Sequence, residues 1–216
     1  MIRSFGFSEF LLLLDAFRWT FVLSGLAFAC GAVGGLGMAL LRTAPYRPLR
    51  MAAAGYIVLF QGTPLLMQLF VIYYGVALLD IAVNAWVALT AGLTLHASAY
   101  LGEIWRGVIF ALPKGQEEAA KALGLKYPTR MTHVILPQAL RMALPSTVGF
   151  LVQLIKGTSL AAIIGFTELT RAGQIVSNAT YQPLLVFGLV GALYFALCWP
   201  LSLVSLRLEK RFAAAR

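Results

Sequence analysis

The sequence predicts an all-α integral membrane protein with five transmembrane helices. Of its 216 residues, 60% are hydrophobic and 12% are charged, and the mean hydropathy is +0.84. An average soluble domain is roughly 45–50% apolar and about 25% charged. A soluble fold of this length cannot bury so much apolar surface. The composition therefore excludes a soluble enzyme, a disordered chain and a disulfide-stabilised scaffold.

Five segments are apolar enough to cross a bilayer, which takes about 20 residues of helix. We predict these spans over residues 20–41, 51–79, 81–102, 138–155 and 184–206. Pro183 suits the first turn of the last span, and Asp80 with Asn84 marks the turn before the third.

The N-terminal residues 5–17 are also apolar, but Glu9, Asp15 and Arg18 interrupt them. We predict that they form an interfacial helix. The expected organisation is therefore an interfacial segment (1–19), a transmembrane domain (20–211) and a short C-terminal tail (212–216).

The distribution of basic residues predicts the orientation. The formal net charge is +9, and 13 of the 17 Lys and Arg residues fall in loops on one side of the predicted spans or in the C-terminal segment. Such an excess is typical of cytoplasmic loops, and no compact basic domain remains to bind nucleic acid. We therefore predict an external N-terminus, a cytoplasmic C-terminus and a cytoplasmic loop over 103–137.

That loop has the pattern of two short helices. Residues 115–124 favour a helix, with Glu117 and Glu118 in its first turn and Gly124 as a left-handed C-terminal cap. Pro128 can open a second short helix, which Pro137 is expected to limit. From these residues alone, a docking element for another protein and a connector lying on the membrane are equally good interpretations.

A resemblance distinguishes between them. The loop, taken over 106–137, carries Glu118-Ala119-Ala120, then Gly124 after three residues, then Val134-Ile135-Leu136-Pro137 after nine more. This resembles the EAA loop of ABC importer permeases, E-A-A-x3-G-x9-I-x-L-P, with valine for the first isoleucine. Further stretches are similar to the polar amino-acid uptake subfamily of the histidine/glutamine type: 62–70 with Tyr73-Tyr74-Gly75, 99–107, 156–160 and 208–211. Gln61 departs from the arginine that many relatives carry before Gly-Thr-Pro.

The resemblance implies a type I ABC importer permease fold and a subunit that takes up polar amino acids across the bacterial inner membrane. It further implies that Glu118, Ala119, Ala120 and Gly124 contact cytoplasmic ATPase subunits. The other implied partners are a second permease subunit, either a copy or a paralogue, and an external solute-binding protein.

The chain itself lacks the phosphate-binding G-x-x-x-x-G-K-[ST] motif. We therefore expect it to be no enzyme and to bind no cofactor, with ATP and Mg²⁺ held by the partner ATPase. The glycine-rich run 31–37 lies in an uncharged span, and the G-x-x-x-G spacing of Gly31 and Gly35 indicates helix packing.

Two segments are candidates for the substrate pathway. The first is a break at 61–64, where Gln61 and Thr63 flank Gly62 before Pro64, and Gln68 lies one turn further on. The alternative is a simple proline kink satisfied by a neighbouring helix. His96 has no second ligand at helical spacing, so no metal site is predicted.

The second candidate is the polar stretch 156–183, where Thr158, Ser159 and Glu168 could recognise a zwitterion. A short helix near the outer face fits this stretch. The alternative for Glu168 is an ion pair with Lys156.

Two other classes of function fit the sequence less well. A stand-alone secondary carrier should hold intramembrane charges, and the cores of the first, second, third and fifth spans have none. A membrane enzyme would need clustered catalytic side chains, and none is visible in the spans.

Overall fold

The computed structural model describes residues 4–81 and 83–213, and every regular element in this part of the chain is helical. The predictions for residues 1–3, 82 and 214–216 lie outside the described residues. In chain order the α-helices are α1 (Phe7–Thr43), α2 (Arg47–Gln61), α3 (Leu65–Phe70), α4 (Ala85–Ala111), α5 (Lys114–Ala122), α6 (Tyr127–Arg130), α7 (Leu136–Gly157), α8 (Leu169–Thr180) and α9 (Pro183–Ala213).

The first helix is longer than predicted. Residues 5–17, expected to form a separate interfacial helix, are instead largely the beginning of the 37-residue α1. No glycine or proline interrupts α1 between Phe7 and the first span, and its early charges are satisfied locally. Glu9 accepts a hydrogen bond from the Gly6 backbone N–H at 3.0 Å, and Arg18 pairs with Asp15 at 2.9 Å.

Helix α1 packs along α4 through its glycines. An added Cβ at Gly31 would lie 2.4 Å from the Cβ of Ala97, and one at Gly35 would lie 2.8 Å from the Cβ of Leu101. The two backbones therefore approach as closely as small residues allow. The two glycines of the G-x-x-x-G motif therefore contact α4, as expected for a helix-packing motif.

The second predicted span is broken. Helices α2 and α3 meet at residues 62–64 with a bend of 103°, and a π-helical segment, Val71–Gly75, follows α3. Asp80 then adopts a left-handed φ of 58°, and the Asn84 side chain caps α4 by accepting from the Trp86 N–H at 2.9 Å.

Proline 137 does not limit the second short helix. Helix α6 continues through a π-helical segment, Met131–Ile135, into α7, and Pro137 lies in the first turn of α7. A proline inside a helix clashes with the preceding turn and lacks an N–H. The wider π turn directly before α7 leaves room for the proline ring and does not need the missing N–H.

Helix α4 lies at the centre of the bundle. The largest buried cluster joins α4 to α1, α3, α7 and the 3₁₀ segment Thr158–Ile164. A second cluster joins the beginning of α1 to α8 and α9. Both cysteines are free, and Cys198 packs in a smaller apolar cluster with Val152 and Ile155.

Three helical stretches in the described residues are long and apolar enough to cross a membrane: Phe7–Thr43, Tyr127–Ile164 and Pro183–Phe212. Counting the bent α2–α3 pair as one span gives four. Helix α4 has 27 residues but is not among them, because its glycine, serine, threonine and histidine residues lower its hydropathy. A central helix surrounded by protein needs small packing residues more than an apolar surface.

We predict that Gly31→Ala destabilises the bundle, because its new methyl group would overlap Ala97. Overpacking of this kind costs about 1–3 kcal/mol, so the thermal unfolding midpoint of the detergent-purified chain should fall. Gly25→Ala is the matched control, since a Cβ there meets no atom within 4 Å. An equal effect of the two substitutions would contradict the close α1–α4 contact.

Candidate coupling surface and translocation pathway

The loop predicted to couple the protein to a partner forms a short helix with a defined end. Helix α5 covers Lys114–Ala122, and Gly124 follows it with φ +72°. The N–H of Gly124 bonds to the carbonyl of Lys121 at 2.9 Å, and that of Leu125 to Ala120 at 3.1 Å. This is a Schellman motif, whose left-handed position favours glycine. The predicted helix and its glycine cap are both present.

Three of the four residues predicted to contact the ATPase are exposed: Glu118, Ala119 and Gly124. Ala120 points the other way and is only 3% exposed. Its burial holds α5 against the rest of the chain, so the exposed surface of this region is formed by the other three.

Leu123 was not singled out from the sequence, yet its side chain is 79% exposed. It lies between α5 and the Gly124 turn, next to the exposed Glu118–Ala119 face. The sequence does show an apolar residue at the end of a polar helix. That pattern fits an exposed leucine and a leucine buried beneath the helix equally well.

Helix α5 is linked to α6 and α7 by polar contacts. Glu117 pairs with Lys121 at 2.9 Å and with Arg130 of α6 at 3.5 Å. The hydrogen bond from Lys121 is the main reason that the pKa of Glu117 lies below its usual value. The Gln138 amide of α7 donates to the Gln116 side chain at 3.2 Å.

The same region is also linked to α1. The hydroxyl groups of Tyr127 and Thr43 are 3.1 Å apart, so α6 is bonded to the last turn of α1. Displacement of α5 would therefore be transmitted to α1 and, through α6, to α7.

The break between α2 and α3 is held by Gln68. Its amide nitrogen donates to the carbonyls of Phe60, at 2.6 Å, and Thr63, at 2.9 Å, and to the Thr63 hydroxyl at 3.0 Å. The Thr63 hydroxyl itself donates to the Leu59 carbonyl at 2.8 Å. Backbone at membrane depth must be satisfied within the protein, and one amide serves both sides of this break.

Gln68 also connects the break to α4, because its amide oxygen lies 3.0 Å from Nδ1 of His96. The His96 ring packs against Tyr100 with 4.5 Å between ring centroids and an angle of 34° between the ring planes. Sequence reasoning treated His96 as an isolated residue, since 28 positions separate it from Gln68 and no local spacing relates them. Gln61 is exposed and does not join this network.

Thr63 and Gln68 also line a cavity of about 230 Å³. Its other walls are apolar, formed by Leu59, Phe60, Met67, Val71, Ile72 and Leu95.

The 156–183 stretch forms a 3₁₀ segment and α8, which agrees with the predicted short helix. Glu168 is completely buried and caps α8, accepting from the N–H groups of Thr170 and Arg171 at 2.9 Å each. The Tyr194 hydroxyl of α9 also donates to it at 2.9 Å. These donors occupy its carboxylate in place of the suggested partner Lys156.

Thr158 and Ser159 are also engaged locally. Their hydroxyls donate to the backbone carbonyls of Ile155 and Lys156, each at 2.7 Å. Thr158 is fully buried. The hydroxyl groups of Thr158 and Ser159 therefore bond to the C-terminal end of α7, and the Glu168 carboxylate caps the N-terminal end of α8.

Comparison with known sequences gives a consistent result. The family described as "Binding-protein-dependent transport system inner membrane component" matches residues 31–214. The chain is 36% identical over 195 residues to the probable amino-acid ABC transporter permease protein YckA of Bacillus subtilis (strain 168), covering 90% of this chain and 86% of YckA. It is 32% identical over 205 residues to the probable glutamine ABC transporter permease protein GlnM of the same organism, covering 95% of each.

Solved structures share the fold. A chain from the crystal structure of an amino acid ABC transporter with histidines superposes with a TM-score of 0.86 at 31% identity, covering 97% of this chain and 100% of that one. An inward-facing MetNI methionine ABC transporter chain has a TM-score of 0.82 at 19% identity, covering 96% and 99%. The latter supports the fold alone.

These matches confirm the resemblance carried by the EAA loop and disfavour a stand-alone carrier. The protein is a multi-pass permease subunit of the inner membrane, and ATP hydrolysis belongs to a separate subunit. The chain belongs to the family of inner membrane components of binding-protein-dependent transport systems.

Proposed function

We propose that this permease subunit translocates polar amino acids, which an external solute-binding protein delivers to it. The substrate class is supported by relatives named for amino-acid, glutamine and L-cystine transport. The observation that carries the mechanism is the exposed end of α5, with Glu118, Ala119 and Gly124 presented on a helix bonded to α6 and α7. ATP and Mg²⁺ are bound by the partner ATPase and not by this chain.

The proposed coupling is mechanical. The α5 surface docks into a groove of an ATPase subunit, where Ala119 permits close approach and Glu118 offers a charge to a basic partner group. Closure of two ATPases displaces α5, and the contacts of Tyr127 with Thr43 and of Gln138 with Gln116 pass that displacement to α1 and α7. A second copy or a paralogue supplies the other half of the pathway.

The proposed topology has five spans, an external N-terminus and a cytoplasmic C-terminus. The α5–α6 region contacts α1 at Thr43, whereas the N–H of Leu169, in α8, donates to the Thr20 hydroxyl at 3.1 Å. Between Thr20 and Thr43, α1 is about 35 Å long at 1.5 Å per residue, which is close to the bilayer thickness. This separation supports α5 and α8 lying on opposite sides of the membrane.

Topology can be tested by cysteine labelling. In a chain carrying Cys30→Ala and Cys198→Ala, Glu118→Cys should react with a membrane-impermeant maleimide only in inside-out vesicles. Asn178→Cys, in the exposed part of α8, should react only from the outside of intact cells. Reaction of Glu118→Cys in intact cells would contradict the proposed orientation and the coupling mechanism.

We predict that Gly124→Ala lowers uptake per ATP hydrolysed in proteoliposomes containing the assembled transporter. An L-residue at φ +72° costs roughly 1–2 kcal/mol, which should unfold the Schellman turn while leaving the spans intact. Gly115→Ala is the matched control because Gly115 lies in α5, the helix that Gly124 terminates, has an ordinary φ and, like Gly124, has open space around its Cβ. Equal coupling ratios in the two variants would contradict a requirement for the turn.

The pathway is proposed to pass the α2–α3 break, beside the cavity lined by Thr63 and Gln68. We predict that Gln68→Leu lowers amino-acid uptake at least tenfold while ATPase association persists, because the break loses the hydrogen bonds of the Gln68 amide. Gln153→Leu, at an exposed position of α7, should leave uptake unchanged.

Uptake should be measured in cells lacking the chromosomal copy of this chain, with unlabelled amino acids as competitors. We expect unlabelled polar amino acids to reduce the uptake of labelled substrate in complemented cells and to have no such effect in uncomplemented cells. Full activity of Gln68→Leu would remove the break from the pathway, whereas absence of amino-acid competition would contradict the substrate class.

A further inference from the structure

A cavity of about 520 Å³ lies between α5 and the ends of α1, α2 and α4. The proposed coupling mechanism uses Thr43, Glu118 and Tyr127 of its lining but places no ligand in it. Its charged lining is unequal, with four basic side chains against two acidic ones: Arg42, Arg50, Lys114 and Lys121 against Glu117 and Glu118. The walls therefore favour an anion.

The acidic groups do not neutralise Arg42. Its Nε atom is buried and has no hydrogen-bond partner among the described residues. The carboxylate of Glu103 interacts electrostatically with Arg42, but it accepts its hydrogen bond from Arg106. Glu117 is already paired with Lys121 and Arg130. Arg42 thus retains donors for a ligand.

Arg50 forms the second side of the cavity. One of its terminal nitrogens donates to the Ala44 carbonyl at 3.3 Å, which fixes the side chain across the α1–α2 turn and leaves its other donors available. Two guanidinium groups from neighbouring helices match a phosphate group, because arginine can present two parallel donors to phosphate oxygens.

The remaining walls are apolar except for Thr43 and Tyr127, whose hydroxyl groups bond to each other. Phe110, 65% exposed, lines the cavity with Ile109, Leu112, Met131 and Ile135. Free phosphate in water gains nothing from such walls, whereas a phospholipid presents a charged head group next to hydrocarbon. The position at the ends of membrane helices, on the side where basic residues concentrate, adds to the attraction for anionic lipid.

We propose that this cavity binds the phosphodiester of an anionic phospholipid, with Arg42 and Arg50 holding the phosphate and Phe110 contacting an acyl chain. The lipid bridges the ends of α1 and α2 to α5. It thereby attaches the coupling helix to the membrane surface independently of any partner protein.

Binding can be measured on the full chain purified in detergent, by native mass spectrometry with dihexanoyl phosphatidylglycerol, dihexanoyl phosphatidylcholine and inorganic phosphate as separate probes. Phosphatidylglycerol should bind at least tenfold more tightly than phosphatidylcholine, and inorganic phosphate should not displace it at equal concentration. Arg42→Gln and Arg50→Gln should each weaken phosphatidylglycerol binding about tenfold. Arg47→Gln is the matched control, because Arg47 lies on the same turn of α2 but is exposed outside the cavity.

Equal binding of the two lipids, or no difference among the three arginine variants, would overturn the proposal. Displacement by inorganic phosphate at equal concentration would assign the site to free phosphate instead. Absence of lipid binding, combined with loss of ATPase association in Arg42→Gln, would assign the arginines to the protein partner. If Arg42→Gln does not fold, Arg42→Lys retains the charge but not the paired donors, and it should still bind more weakly than the unchanged protein.

Discussion

The contact between α1 and α4 is the interaction on which the rest of the structure depends. Gly31 and Gly35 allow the two backbones to meet, and the neighbouring α2, α3 and α7 pack against the other faces of α4. Because lipid offers no hydrophobic driving force for helix association, close packing must supply it. This is why the central helix carries small residues where it meets its neighbours.

A bundle assembled in this way can tolerate a broken helix only where side chains replace the lost backbone bonds. Gln68 meets that condition at the α2–α3 break, and His96 ties the break to α4. Thr63 and Gln68 also line the adjacent cavity, whose other walls are apolar. The residues that satisfy the break are therefore also part of the wall of that cavity.

At one end of the bundle, the backbone conformation of Gly124 determines which side chains are exposed. The left-handed Gly124 ends α5 and presents Leu123 beside the Glu118–Ala119 face. Contacts from Glu117 to Arg130 and from Tyr127 to Thr43 keep this surface from moving independently of α1. The basic cavity adjoins this surface, because Glu118 lines it together with Lys114 and Lys121 of α5.

The sequence by itself determined the membrane class, the approximate positions of the long helices, the break before Pro64 and the Gly124 cap. These features depend on composition, on residues within one helical turn, or on a motif of fixed spacing. Only the tertiary structure decided the inward direction of Ala120, the Gln68–His96 contact and the contact of the buried Glu168 with Tyr194. Each of these depends on which distant segments meet in space, and a local pattern of residues carries no information about a partner 26 or 28 positions away. The continuity of α1 through its charged beginning has the same origin, because packing against α8 and α9 stabilises residues that composition alone marked as too polar to extend the span.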